Sequence, residues 1–184
     1  MKLKAYAKIN LSLDLTGILP DGYHALNTVM QSVSLYDTVT VEKTYGGIFL
    51  RCSLPGLPSD SRNTAYKAAE LFLSEAGIKE GVSIDIEKRI PSQAGLAGGS
   101  ADAAAVLFAL GQLYPGGLSE EKLFETALRV GADVPFCLSG GTRLCLDKGE
   151  TMTALPAFHA FVLLMKPDTG VSTSEAFRKF DASY

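Results

Sequence analysis

Only three cysteines, Cys52, Cys137 and Cys145, occur in the 184 residues. Their odd number and the lack of any C-x-x-C spacing exclude a disulfide framework and a cysteine-ligated zinc site, and predict reduced, buried thiols. Basic charge is also short, with 17 Lys and Arg against 20 Asp and Glu and a formal net charge of −3. A surface built to hold an extended nucleic-acid backbone needs the opposite balance, so no nucleic acid is expected as partner, although a local basic site stays open. No run approaches the ~18 apolar residues of a membrane span. The opening MKLKAYAKIN lacks the apolar stretch and small-residue cleavage site of a secretory signal. The expectation is a cytoplasmic protein with no membrane partner. What is present is a chain of 47% hydrophobic and 20% charged residues, long enough to bury a core in one domain, or one plus a fragment.

Periodicity divides the chain. Leu3, Ala5, Ala7, Ile9, Leu11, Leu13 and Leu15 alternate with Lys4, Tyr6, Lys8, Asn10, Ser12 and Asp14, which predicts a long strand with one buried face. Turn signals in LPDGYHAL (19–26) precede a β-branched, alternating stretch over 28–44. Further strands are predicted over 48–53, 82–88, 141–146 and 161–166. Helices are predicted over 63–77, with Asn63 as N-cap and Gly77 as stop, over 99–113, and over 119–131, opened by Ser119 and acidic residues. Strands come first and helices cluster later. The fold class is therefore α+β, a mixed or antiparallel sheet with helices on one face.

The stretch PSQAGLAGGSADAAA (91–105) carries the clearest chemistry. Gly95, Gly98 and Gly99 allow positive φ and close approach of backbone N–H groups, and Ser100 begins a helix whose free N–H groups attract a phosphate. It is neither a Walker loop, since no G-K-[ST] follows, nor a dinucleotide fingerprint, since the glycine spacing is wrong. Small residues that let a helix pack closely explain the same letters. In GADVP (131–135), Asp133 reads as an N-cap; a carboxylate held by backbone N–H groups is also kept ionised and able to take a hydroxyl proton. Lys8 and Asn10, two apart on the polar side of the first strand, suit a carboxylate or phosphate as well as a plain surface.

AKINLSLDLTG (7–17), DGYHALNT (21–28), PSQAGLAGGSADAA (91–104) and GADVPF (131–136) occur in this order, and together they resemble the GHMP kinases. The AKIN…DGYH opening is most similar to members that phosphorylate an alcohol of a cytidine-diphosphate-linked branched polyol in non-mevalonate isoprenoid synthesis. The resemblance implies the family's N-terminal domain, of ribosomal-domain-like fold, and ATP and Mg²⁺ as cofactors. It implies Lys8 and Asp133 as the catalytic pair, and Pro91, Gly95, Leu96, Ala97, Gly98, Gly99 and Ser100 around the ATP phosphates, with Ser100 near the γ-phosphate and magnesium. Asn10, Tyr23, His24, Thr173 and Phe177 would hold the small-molecule substrate, Tyr23 and Phe177 enclosing its cytosine. The family's loop commonly runs Gly-Leu-Gly-Gly-Gly-Ser-Ser. Here Ala97 leaves that loop less freedom and Ala101 removes a hydroxyl.

A capping box, Ser172-Thr173-Ser174-Glu175, starts a helix with Phe177 and Phe180 on one face. The resemblance implies residues 1–165 as the ATP-binding domain and 166–184 as the start of a second domain of roughly another 100 residues. Weak nucleotide affinity and very low turnover are then expected of these 184 residues alone. Two alternatives stay open: another small-alcohol kinase of the family, and a non-enzymatic nucleic-acid-binding domain of the same fold, which the net charge opposes. Oligomeric state is not legible in the sequence.

Overall fold

The computed structural model describes residues 1–20, 22, 24–166 and 173–181. Its sheet is organised by one long strand. β1 (Lys2–Ile18) runs antiparallel to β2 (His24–Thr44), whose other edge takes β5 (Thr142–Asp147) near its start and β4 (Gly81–Glu87) near its end. β3 (Ile48–Cys52) adds to β4 in parallel and β6 (Thr151–Ala154) adds to β5, giving the order β3-β4-β2-β5-β6 with β1 on β2. The sheet is mixed, as the pattern predicts. Val39 and Val41 of β2 pair with Ile86 and Ile84 of β4, all at most 1% exposed, and with Val82 they form the inner face.

Helices α1 (Thr64–Glu75), α2 (Gly98–Leu113) and α4 (Val134–Ser139) pack on the sheet, and α3 (Glu120–Val130) packs on those helices. α1 is capped by Asn63, whose side chain accepts from the Ala65 N–H, and α3 by Ser119, which accepts from Lys122 N–H. α2 packs against α1, α4, β1 and β2. It is apolar nearly all round, which marks a helix running through a core and not over a surface. Its run of small residues is what admits it there: Ala101, Ala103, Ala104 and Ala109 are each at most 3% exposed. A fifth helix, α5, spans Thr173–Asp181. No described helix is long and apolar enough to cross a membrane.

Two expectations are corrected. The buried face of β1 does not persist to Leu15: past Asn10↔Met30 the next pair is Ser12↔Val29, so Leu11 is an extra residue, and Leu11 and Leu13 end 44% and 48% exposed. One inserted residue re-aims those that follow. The apolar run 161–166 forms no strand; Leu163 and Met165 are 84% and 86% exposed, and the last strand is instead β6, turned back on β5 through Asp147 and Gly149 at positive φ. An apolar run without alternation fits a buried strand but does not supply an edge to pair with.

Candidate active site

Lys8 lies in the middle of β1, 7% exposed, beside the irregularity at which β2 residues 33–35 stand opposite Ala7. Its ammonium donates to Asn10 Oδ1 at 2.8 Å. The Asn10 amide donates to Thr28 Oγ1 at 2.7 Å, and the Thr28 hydroxyl donates to the Ser12 carbonyl at 2.6 Å. This chain of bonds fixes the amide of Asn10 with its oxygen toward the ammonium. Asp133 Oδ2 stands 3.5 Å from Lys8 Nζ, on a side chain 32% exposed.

Asp133 does not cap α4 with its side chain. Its backbone is already helical (φ −82°, ψ −11°), whereas a capping side chain reaches back from an extended residue. What faces the carboxylate is therefore the Lys8 charge, and not the backbone N–H groups that the sequence suggests. Behind the pair, burial pushes the Cys137 thiol up to about 12, with Asp133 adding to the effect and Lys8 opposing it.

The loop 91–97 is seated on this pair, since the Lys8 N–H donates to the Leu96 carbonyl at 3.1 Å. Gly95 takes φ +71°, and Gln93 and Ala97 take φ +53° and +55° without being glycine. α2 begins at Gly98, two residues ahead of Ser100, and Gly98 and Gly99 do not have positive φ. Their need is space. A Cβ on Gly98 would stand 3.0 Å from Ile90 Cγ2 and 3.2 Å from Lys88 Nζ, and one on Gly99 would stand 3.0 Å from Thr64 Oγ1, which donates to the Gly99 carbonyl. Close packing thus explains two of the three glycines. Left-handed Ala97 gives α2 no side-chain cap, so no capping side chain occupies the positive end of this 16-residue helix, an arrangement able to receive an anion.

These parts line one cleft of about 870 Å³, which brings together Lys8, Asn10, His24, Asp133 and the stretch 90–100. His24 Nε2 is 2.7 Å from Asp181 Oδ1 of α5. Tyr23 and the side chains of Thr173 and Phe177, like Ser172 of the capping box, lie outside the described residues. A larger depression of about 1040 Å³, between the β2–β5 edge and residues 154–164, contains none of the predicted site residues.

Sequence reasoning missed a buried ion cluster under the loop. Lys88 donates to Asp37 Oδ2 and, at 2.7 Å, to Asp102 Oδ2; the three side chains are 6%, 0% and 5% exposed. Burial pushes the Asp102 carboxyl up to about 7, Lys88 opposes this, and its Oδ1 has no hydrogen-bond partner. The three residues sit on different elements, and no local periodicity marks charges that meet in a core. Among the described residues no group of three or more His, Cys, Asp or Glu is arranged to hold a metal.

The family description "GHMP kinases N terminal domain" matches residues 63–141. The 4-diphosphocytidyl-2-C-methyl-D-erythritol kinase of Clostridium botulinum (strain Alaska E43 / Type E3) is 50% identical over all 184 residues, which cover 66% of that protein. The kinase of the same name from Desulfitobacterium hafniense (strain Y51) is 52% identical over 98% of this chain and 62% of its own length. The chain thus spans just under two thirds of these curated relatives. A crystal structure of 4-(cytidine 5'-diphospho)-2C-methyl-D-erythritol kinase superposes with a TM-score of 0.74 at 43% identity, over 84% of this chain and 55% of that one. The mevalonate kinase of Methanococcus jannaschii, 13% identical with a TM-score of 0.64 over 85% of this chain and 56% of its own, shares the fold.

Proposed function

The chain belongs to the GHMP kinases, and on that premise we propose that it transfers the γ-phosphoryl of ATP to the 2-hydroxyl of 4-diphosphocytidyl-2-C-methyl-D-erythritol, a step of non-mevalonate isoprenoid synthesis. The observation that carries the reading is that one residue joins the two halves of the chemistry: the backbone of Lys8 holds the glycine-rich loop through Leu96, and its ammonium faces Asp133.

In this reading the N–H groups opening α2 and the loop residues from Pro91 to Ser100 receive the β- and γ-phosphates. Asp133 accepts the proton of the substrate hydroxyl as its oxygen forms the new bond to the γ-phosphorus, and the bond from that phosphorus to the bridging oxygen breaks to release ADP. Lys8 holds the carboxylate and the incoming oxygen together, and Asn10 sets the direction of the ammonium. Tyr23, His24, Thr173 and Phe177 are assigned to the cytidine end. The hydroxyl of Ser100, with the phosphate oxygens, would hold Mg²⁺, which would supply charge neutralisation. That hydroxyl, in the first turn of α2 and on the cleft wall, fits a cation that keeps water and phosphate as most of its ligands.

Calorimetric titration with cytidine diphosphate and uridine diphosphate tests the substrate class. Clear preference for the cytidine compound is expected. Indifference to the base would move the chain to another small-alcohol kinase of the family.

A further inference from the structure

The loop 91–97 leaves β4 through residues 88–90 and ends at the first turn of α2. Both of its ends carry bonds to the same ion cluster. At the entrance, Asp37 of β2, fully buried, accepts from the backbone N–H groups of Arg89 and Ile90, the latter at 2.8 Å, and from the Lys88 ammonium. At the exit, Asp102 in the first turns of α2 accepts from that same ammonium. Lys88 Nζ also lies against Gly98, close enough that an added Cβ would crowd it. The start of α2 is also held by packing against β1, β2 and α1, by the hydroxyl of Thr64 of α1 on the Gly99 carbonyl and by the Lys8 N–H on the Leu96 carbonyl; the Lys88 ammonium is the charged group that meets both ends of the loop.

We infer that Lys88 is a positioning residue: its ammonium, held between Asp37 and Asp102, clamps the two ends of the loop to each other and sets where the first turn of α2 meets the phosphates of a nucleotide. This deepens the kinase reading above and rests on it. Magnitudes support a directional device over a stabilising one. A buried ion cluster contributes little net stability, because desolvation of three charges offsets most of their attraction, while a single missing partner is strongly destabilising. A clamp against Gly98, at the start of α2, is a use for such a cluster, because displacing a phosphate-binding turn by even ~1 Å costs affinity and rate. In this reading the nucleotide end of the cleft depends on Lys88, whose ammonium is bonded to Asp37 and Asp102.

The test is hydrogen–deuterium exchange of the amides from 91 to 101 in the ligand-free protein, with titrations of ATP and of cytidine diphosphate. Lys88→Met is expected to speed exchange of those amides at least about tenfold, while the amides of β4 and α1 hold their rates. ATP affinity is expected to fall about tenfold and cytidine diphosphate affinity to stay within about twofold. Because Lys88→Met leaves two carboxylates buried without a counter-ion, a second variant, Lys88→Met with Asp37→Asn and Asp102→Asn, removes every charge of the cluster at similar volume. It is expected to fold and to show the same loop exchange and the same selective loss. Unchanged loop exchange in the variant that folds, exchange rising equally throughout the core, or equal loss of both ligands would overturn the clamp. If the unsubstituted protein takes up no ATP, the kinase reading fails and the loop exchange alone decides the clamp.

Discussion

Lys8 Nζ and Asp133 Oδ2 face each other at 3.5 Å, longer than the about 2.7–3.2 Å of a well-formed hydrogen bond, while the ammonium is already bonded to Asn10 at 2.8 Å. The carboxylate is therefore held by charge and left able to accept a proton from a third group. Asp133→Asn keeps shape and removes that capacity. ATP affinity is expected within about threefold of the unsubstituted protein by calorimetry, with transfer lowered at least ~100-fold in a coupled ADP assay. Equal loss of affinity and rate would mean that Asp133 only maintains the cleft.

The legible part of the site was the part written as contiguous stretches. Lys8 with Asn10, the loop from Pro91 to Ser100 and Asp133 each sit in a short run whose spacing carries meaning, and the structure lines one cleft with them. Asp37, Lys88 and Asp102 were illegible because tertiary packing alone joins them; Lys88 read as the end of a strand and Asp102 as a polar letter within a helix. The alternation of β1 fails first at Ala7 and Lys8, neighbours that are both buried beside an irregularity in the pairing with β2, and again at Leu11, where the inserted residue leaves no mark in composition. Asp133 stands opposite Lys8 but is not the side-chain cap that its place before Val-Pro suggests: a helical backbone there withdraws the capping geometry and turns the carboxylate over to Lys8.

Three small residues in the loop and at the start of α2 have different reasons to be small, and substitutions separate them. Gly98→Ala pushes a Cβ to 3.0 Å from Ile90, which is 2% exposed and has nowhere to go. A loss of about 1–3 kcal/mol is expected. Gly95→Ala meets no atom within 4 Å but is held at φ +71°, so its loss of about 1–2 kcal/mol comes from the backbone alone. Ala97→Gly relieves the left-handed strain at φ +55° against the added flexibility of the unfolded chain, for a net gain below about 1 kcal/mol. Urea denaturation of the three variants checks the order; a destabilising Ala97→Gly would contradict it.

Cys137 supplies a pH test. Burial raises its thiol from 9.0 to about 12, so the folded protein keeps a proton that the unfolded chain loses above about pH 9. The stability this contributes is fully present below pH 9 and is lost as pH rises from there toward 12. At pH 8.5 Cys137 is almost wholly thiol in the native state, and iodoacetamide labelling mapped by mass spectrometry is expected to be at least ~100-fold slower than in urea. Native labelling at the unfolded rate would show an exposed, ionised thiol.

The most direct test of the account is phosphoryl transfer itself. The protein is incubated with ATP labelled in its γ-phosphate and, separately, with 4-diphosphocytidyl-2-C-methyl-D-erythritol, mevalonate or homoserine, each with and without Asp133→Asn. Label is expected on the 2-hydroxyl oxygen of the cytidine-bearing acceptor alone, and on none when Asp133 is replaced. Label carried equally to mevalonate or homoserine, or transfer that persists in Asp133→Asn, would contradict it.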